Sequence, residues 1–143
     1  MNSALQFNIS PYASFMHETR VELGNVIELH VEVGGHPEDP AILLIMGLGA
    51  QMLYWPDFFC KSLIDQGYRV IRFDNRDIGL SSKIRNPGPR LNTFKLMGRF
   101  ALGLENQGAP YDLYDMADDV ALLIDRMGLD KVHILGASMG GMI

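Results

Sequence analysis

One serine stands among small residues close to the C-terminal end of the printed sequence. The stretch 136–140 reads Gly-Ala-Ser-Met-Gly and follows a largely apolar run at 132–135. On a sharp turn from a strand into a helix, a serine points outward with the positive end of the helix behind its hydroxyl. Free backbone N–H groups on such a turn can stabilise an oxyanion. The pattern therefore predicts that Ser138 is a nucleophile and that the N–H of Met139 is one oxyanion donor.

A glycine-containing loop stands where a site for acyl transfer needs its second oxyanion donor. The segment 47–49 reads Gly-Leu-Gly and follows the continuous apolar run 41–46, which is typical of a strand buried on both faces. An acyl-transfer site needs a second N–H donor for the oxyanion, and a loop after such a strand can supply it. We therefore expect the N–H of Leu48 to act together with that of Met139. The glycines expected to allow the tight turn and the close approach of the loops are Gly47, Gly136 and Gly140.

The same loop has an alternative interpretation as a dinucleotide-binding turn. Gly47-x-Gly49 would open a helix, and Asp74 follows about 25 residues later, where an acid that binds a ribose would stand. Against this, position 52 is Met rather than Gly or Ala, and an expected hairpin precedes the strand.

The serine motif also has an alternative interpretation. An isolated G-x-S-x-G match could be a helix start packed on a strand, but the flanking elements favour a nucleophile.

A serine nucleophile needs a base, and the histidines do not offer one. No His has a spacing to another His, Cys or carboxylate that suits a metal, so we expect neither a metal nor an organic cofactor. His133 precedes Ser138 by roughly 15 Å of extended chain, so it should be a packed strand residue rather than the base. The chain is therefore expected to lack the acid and the histidine of a triad.

A polar segment at 72–81 follows the next apolar strand. It is expected to form a hydrogen-bonded structural turn, in which Asp74 and Arg76 hold the loop near the site without taking part in the chemistry. Cys60 should be buried on a helix. Trp55, with its neighbour Tyr54, should either line the mouth of a pocket beside Leu48 or belong to the core.

The periodicity of apolar residues predicts alternating strands and helices. In chain order, the expected elements are a hairpin at about 15–23 and 26–33 around a two-residue Gly24-Asn25 turn, a strand at 41–46, a helix from Pro56 to Gly67, a strand at 70–73, an irregular stretch at 80–111 that encloses a short helix near 92–102, a helix at 113–127 and a strand at 131–135. The long helix should bury one stripe, made of Leu113, Met116, Ala117, Val120, Ile124 and Met127. Aspartates at 112, 115, 118 and 119 should lie at its positive end. This order predicts an α/β fold with a mainly parallel sheet and an antiparallel N-terminal hairpin.

The composition is that of a soluble globular protein and excludes several function classes. The 143 residues are 48% hydrophobic and 20% charged, with a net charge of −5, which argues against nucleic-acid binding. No apolar run is long enough for a transmembrane helix, and the N-terminal residues have no basic and then apolar region, so we expect no signal peptide. The single cysteine excludes a disulfide framework. We therefore expect a cytoplasmic protein with no membrane partner.

Three ordered motifs together resemble the α/β-hydrolase superfamily. They are the Gly-Leu-Gly loop, the turn F-D-N-R-D-x-G-x-S, and G-x-S-x-G-G. In detail, I-M-G-L-G…W-P, F-D-N-R-D-I-G-L-S and G-A-S-M-G-G are most similar to the esterase branch that includes aclacinomycin methylesterase-like proteins. Met46 and Asp77 depart from the residues frequent in the wider superfamily, and both are compatible with that branch.

The resemblance implies an eight-stranded sheet, a cap after the sixth strand, and a triad in the order Ser, Asp or Glu, then His. Residues 1–143 would be the N-terminal portion of one such domain, from strand 1 to strand 5 and the turn that carries the nucleophile, truncated after that turn. The implied function is hydrolysis of a small-molecule carboxylic ester or a related acyl bond, without a cofactor. The alternative is a non-catalytic remnant or binding module of the same fold. The last strand would expose an unpaired edge, which a second chain could complete.

Overall fold

Strands and helices alternate along the chain in the computed structural model, which describes residues 5–24, 26–84, 98, 102 and 110–143. The strands are β1 (Asn8–Ile9), β2 (His17–Glu22), β3 (Glu28–Gly34), β4 (Ala41–Ile45), β5 (Arg69–Phe73) and β6 (Val132–Gly136), and the helices are α1 (Asp57–Asp65) and α2 (Leu113–Arg126). Short 3₁₀ turns occur at Met52–Tyr54 and Ser138–Gly141. The short helix expected near 92–102 lies outside the described residues, apart from positions 98 and 102.

All six strands join one mixed sheet in the order β1-β2-β3-β5-β4-β6. The pairings are antiparallel between β1 and β2, between β2 and β3, and between β3 and β5. By contrast, β4 pairs parallel with both β5 and β6. The expected antiparallel N-terminal part and parallel C-terminal part are therefore confirmed. Because β4, β5 and β6 run in the same direction, the loops that follow them emerge at one edge of the sheet.

The N-terminal hairpin has the expected strands but a longer turn. His17 pairs with Val33 and Glu22 with Glu28, and the N–H of Leu23 donates to the Ile27 carbonyl at 3.0 Å. The last paired positions of this register are Glu22 and Glu28, which are separated by the five residues 23–27, so the predicted two-residue turn is wrong. Gly24 adopts φ +89°, a conformation that glycine tolerates and that such a turn requires.

Both expected helices form, with ends set by local chemistry. Pro56 is the N-cap of α1 rather than its first helical residue, and Gly67 at φ +82° ends the helix. Asp112 caps α2, because its carboxylate accepts the N–H groups of Tyr114 and Asp115. In return, the Asp115 carboxylate accepts the N–H of Asp112.

Two apolar clusters cover the two faces of the sheet. Leu43, Ile45 and Phe73 pack with Val120 and Leu123 of α2, whereas Leu44 and Val70 face the opposite side, with Cys60 of α1. Leu123 is fully buried although it was not part of the expected stripe. The alternation along β4 explains why its sequence is a continuous apolar run, since both of its faces are covered.

β6 forms the outer edge of this sheet. Ile134 is 57% exposed and Leu135 is 41% exposed, as expected for a strand with no described neighbour on its outer side. Within the part of the chain that the structure describes, no helix is both long enough and apolar enough to cross a membrane.

Candidate active site

Ser138 lies on a sharp turn directly after β6. Ala137 is extended, and Ser138, the first residue of the 3₁₀ turn, adopts φ +54°. Positive φ is uncommon for a residue with a side chain and marks backbone held in place by its surroundings. The Ser138 side chain is exposed at the edge of the sheet where β4 and β5 also end. This is the geometry that the G-x-S-x-G pattern predicts for a nucleophile.

The two flanking glycines allow the turn to fold back on the sheet. A Cβ atom on Gly136 would overlap the carbonyl of Gly140, and a Cβ on Gly140 would lie 2.7 Å from the Ile45 carbonyl carbon and 3.0 Å from the Met46 oxygen. The obstacles are backbone atoms, which cannot rotate away. The expected need for glycine at 136 and 140 therefore has a steric cause. Gly141 differs, because its nearest contact would be an ordinary 3.5 Å.

The loop after β4 lies against this turn. A Cβ on Gly47 would lie 3.0 Å from the Ala137 oxygen, 3.0 Å from Ser138 Cβ and 3.5 Å from the Met139 nitrogen. Among the described residues, the N–H groups of Leu48 and Met139 have no hydrogen-bond acceptor. The structure thus brings the loop and the serine together, and the oxyanion role of the two N–H groups stays a prediction.

Asp74 and Asn75 join the end of β5 to the loop after β4. Both oxygens of the buried Asp74 carboxylate accept backbone N–H groups, from Met52 at 2.8 Å and from Leu80 at 3.0 Å. Asp74 is therefore enclosed by its own protein and not open to a ribose, which removes the main support for a dinucleotide site. The Asn75 amide donates to the Met46 carbonyl at 2.9 Å. Sequence reasoning did not single out Asn75.

Arg76 ties the same turn to α2. Its guanidinium makes two hydrogen bonds to Asp119, at 2.6 and 2.7 Å, and lies 5.0 Å from the centre of the Tyr111 ring. Asp119 was expected among the acids at the positive end of the helix, and the structure shows that it is buried there as the partner of Arg76. Burial, together with a hydrogen bond to Asp77, raises the pKa of Tyr111 to about 12. The predicted structural role of Arg76 therefore has a specific partner.

His30 forms a buried charge cluster that the sequence did not reveal. Its Nε2 lies 3.1 Å from a Glu18 oxygen and its Nδ1 lies 3.6 Å from an Asp74 oxygen. It also lines a cavity of about 100 Å³ together with Tyr12 and Gln51. However, β3 is separated from β6 by β5 and β4, which places the imidazole roughly 14 Å from the strand that carries Ser138. His30 is therefore too far away to be the base of Ser138.

The titration of this cluster predicts a pH-dependent stability. Burial lowers the pKa of His30. The hydrogen bonds to Asp74 and Glu18 and the charges of these two groups together raise it by more, so the net pKa is above 6.5. Burial raises the pKa of Asp74, but His30 and the N–H groups of Met52 and Leu80 lower it below 3.8 overall. The His30 contribution is complete below pH 6.5 and is lost as pH rises through the folded-state pKa. The Asp74 contribution is present above pH 3.8 and is lost as pH falls through its lowered pKa.

The expected result is a stability difference between the wild type and His30→Gln that is larger at pH 5.5 than at pH 8.5. Urea unfolding at a series of pH values measures it. His36→Gln removes an exposed loop histidine and serves as the control for the loss of one imidazole. A His30→Gln difference that stays constant from pH 5 to pH 9 would contradict the assignment.

The remaining candidate residues lie away from Ser138 or serve the core. His133 is exposed, pairs in register with Ile42 and contacts the Tyr68 ring edge-on, so the expectation that it is packed is wrong. Cys60 is buried as predicted, and burial raises its pKa. Trp55 belongs to the core and stacks on a neighbouring ring of α1. Among the described residues, no group of three His, Cys, Asp or Glu side chains is placed to hold a metal.

Tyr54 does not share the environment of the tryptophan beside it. It is 72% exposed, whereas Trp55 is 9% exposed. Of the two roles left open for this pair, Trp55 therefore takes the one in the core. Tyr54 lies at the surface of the loop that follows β4.

Comparisons with known proteins agree with this geometry. The family described as having the alpha/beta hydrolase fold matches residues 40–143. Rhodomycin D methylesterase DnrP of Streptomyces peucetius is 31% identical over 125 residues, which cover 87% of this chain and 35% of that protein. A putative carbamate hydrolase RutD of Variovorax paradoxus is 29% identical over 115 residues, which cover 80% of this chain and 35% of that protein. The chain therefore spans about a third of the length of these relatives.

A similarity in three dimensions supports the same assignment. The crystal structure of a membrane phospholipase A, a bacterial virulence factor, superposes with a TM-score of 0.66 at 28% identity, covering 89% of this chain and 33% of that one. The thioesterase domain from the curacin biosynthetic pathway superposes with a TM-score of 0.64 at 24% identity, over 89% of this chain and 38% of the domain, and shows the shared fold. The sheet, the loops and the matched sequence together show that this chain belongs to the α/β-hydrolase family. It corresponds to the N-terminal portion of a member of the esterase branch of that family.

Proposed function

We propose that this chain carries the nucleophile of a serine hydrolase that cleaves a carboxylic ester or a related acyl bond. The observation that carries the proposal is the exposed Ser138 at φ +54°, directly after β6 and against Gly47 of the loop that follows β4. Two relatives are named a methylesterase and a carbamate hydrolase, and both names denote hydrolysis at an acyl carbon. The substrate class is therefore a small-molecule ester or a close analogue.

The reaction proceeds in two acyl-transfer steps. Ser138 Oγ bonds to the acyl carbon, its proton passes to a base, and the carbonyl π electrons move to oxygen. The N–H groups of Leu48 and Met139 stabilise that oxyanion. The intermediate then expels the alcohol, which takes up the proton, and water hydrolyses the acyl-enzyme by the same route. The chain needs no metal or organic cofactor for these steps.

The base is not supplied by the described residues near the serine. None of their imidazoles or carboxylates hydrogen-bonds the Ser138 hydroxyl. In this proposal the histidine and the acid come from further residues of the full-length chain or from a second chain that pairs at β6. The free, buried Cys60 agrees with a cytoplasmic location.

The proposal is tested by labelling the full-length chain with a fluorophosphonate and mapping the adduct by peptide mass spectrometry. The adduct is expected on Ser138, and Ser138→Ala should abolish it. Ser62→Ala removes an exposed hydroxyl on α1 and should label like the wild type. Undiminished labelling of Ser138→Ala would refute the proposal.

A second candidate function is a binding module that keeps the turn but does not turn over substrate. The observation that favours it is the absence of a base hydrogen-bonded to Ser138 among the described residues. Hydrolysis of a p-nitrophenyl ester separates the two candidates. Turnover by the wild type that is lost in Ser138→Ala would exclude the binding module, and binding without turnover would favour it.

A further inference from the structure

Asn75 makes a buried contact with the backbone of the loop that carries Leu48. It is 4% exposed, and its side-chain amide donates to the Met46 carbonyl at 2.9 Å. Met46 immediately precedes Gly47, which lies against Ser138. An amide that donates inside the protein to a carbonyl fixes the orientation of that peptide unit, because the carbonyl would otherwise be left without a partner.

The orientation of one peptide unit determines where its N–H points. In a trans peptide the C=O and the N–H point in opposite directions. Asn75 holds the Met46 carbonyl, and the N–H of Ala50 donates to the Gly47 carbonyl at 3.3 Å. The second bond turns the Gly47 carbonyl toward the interior of the loop. The N–H of Leu48, in the same peptide unit, therefore points the opposite way.

The neighbouring residue holds the other end of the same loop. Asp74 accepts the N–H of Met52 at 2.8 Å, and its own backbone N–H donates to the His30 carbonyl at 3.0 Å. Asp74 and Asn75, adjacent at the end of β5, therefore clamp the segment 46–52 at both ends. A loop held only by its own backbone would be free to shift against the serine.

The nucleophile turn contacts the same carbonyl that Asn75 holds. A Cβ on Gly140 would lie 3.0 Å from the Met46 oxygen, and the N–H of Ala137 donates to the Ile45 carbonyl at 2.9 Å. The loop after β4, the turn that carries Ser138 and the end of β5 therefore meet at the peptide unit that contains the Met46 carbonyl. A shift of this peptide changes the distance between the Leu48 N–H and Ser138.

We propose that Asn75 is a positioning residue that sets the Leu48 N–H as an oxyanion donor for Ser138. The inference rests on the proposed function of Ser138. It assigns to Asn75 no contact with substrate, since its amide acts through the Met46 carbonyl.

The test compares two covalent probes on the full-length chain, a fluorophosphonate and its thiophosphoryl counterpart. Phosphoryl oxygen accepts hydrogen bonds well and sulfur accepts them weakly, so the ratio of the two maximal labelling rates reports on the oxyanion donors. Asn75→Asp keeps the shape of the side chain but cannot donate when ionised. Asn75→Ala removes the amide altogether. Gln66→Ala is the matched control, because it removes an amide that donates to a carbonyl on the exposed end of α1.

In both Asn75 variants, labelling by the fluorophosphonate is expected to slow about 10- to 100-fold at saturation, with little change in the concentration for half-maximal rate. The oxygen-to-sulfur rate ratio should fall by a similar factor. Both rates are measured on one sample, so a partly unfolded variant leaves the ratio unaffected. Gln66→Ala should keep the wild-type ratio.

An unchanged ratio in both Asn75 variants would overturn the inference, even if their labelling were slow, because it would show a purely structural role. Labelling that persists in Ser138→Ala would instead overturn the proposed function, and the role of Asn75 with it. The two failures are therefore distinguishable.

Discussion

Replacing Gly140 with alanine is expected to lower the free energy of unfolding by about 1–3 kcal/mol and to slow covalent labelling of Ser138 by about 100-fold or more. The added Cβ would lie 2.7 Å from the Ile45 carbonyl carbon and 3.0 Å from the Met46 oxygen. Both atoms belong to the backbone at the end of β4, so relief requires the serine turn to move away from the sheet. Urea unfolding measures the free energy of unfolding, and the kinetics of fluorophosphonate labelling measure the rate at which Ser138 reacts.

The adjacent glycine provides a matched control. A Cβ on Gly141 would make its nearest contact, with the Gly136 oxygen, at an ordinary 3.5 Å, and Gly141 does not adopt positive φ. Gly141→Ala should therefore keep both the stability and the labelling rate close to those of the wild type. Equal effects of the two substitutions would show that close packing of the turn on β4 is not what positions Ser138.

Arg72→Met is expected to destabilise the protein by about 3–5 kcal/mol, because it leaves the buried carboxylate of Glu32 without its cation. Both side chains are fully buried, and Arg72 Nε donates to a Glu32 oxygen at 2.7 Å. Nη2 lies 2.7 Å from the same oxygen as an ion-pair contact rather than as a directed hydrogen bond. Nη1 donates to the Trp55 carbonyl at 2.9 Å, which connects the pair to the start of α1. Burial lowers the pKa of Arg72, but the charge of Glu32 raises it overall.

Two further variants separate the ion pair from simple packing. Glu32→Leu combined with Arg72→Met removes both charges and should be markedly more stable than Arg72→Met alone. Lys61→Met breaks an exposed pair with Asp65 on α1 and should cost no more than about 0.5 kcal/mol. Urea unfolding of the four proteins measures these differences. A single Arg72→Met variant within about 1 kcal/mol of the wild type would contradict the role given to the buried pair.

The parts of the fold that depend on local patterns were predictable from sequence. The continuous apolar run at 41–46 indicated a strand covered on both faces, and β4 has that environment. The apolar stripe at 113–127 indicated a helix with aspartates at its positive end, and the structure has α2 there with Asp112 as its cap. The serine turn was also predictable, because Gly136 and Gly140 act within five consecutive residues. In each case the physical cause lies within one element or its immediate flanks.

The contacts that depend on strand register were not predictable in the same way. Glu32 and Arg72 face each other only because β3 pairs with β5 in one particular register. That register also brings His30, on β3, beside Asp74 at the end of β5. Asp119 was expected only as one of the acids at the positive end of α2, because helix periodicity does not reveal a buried cation on a distant loop. Asn75 was overlooked for the same reason, since its partner Met46 lies in a different loop, the one that follows β4.

The pairing of β4 with β6 also determines when the candidate site can form during folding. Ile45 pairs with Gly136, so the chain must close a loop of about 90 residues before the serine turn meets the loop after β4. The β2–β3 hairpin, by contrast, closes a loop of a few residues. Contacts between distant parts of a chain carry the larger entropic cost and form slowly. Ser138 therefore meets the loop after β4 only once the most non-local pairing of the described sheet is in place. If Ser138 is the nucleophile that we propose, its labelling rate should report on complete folding.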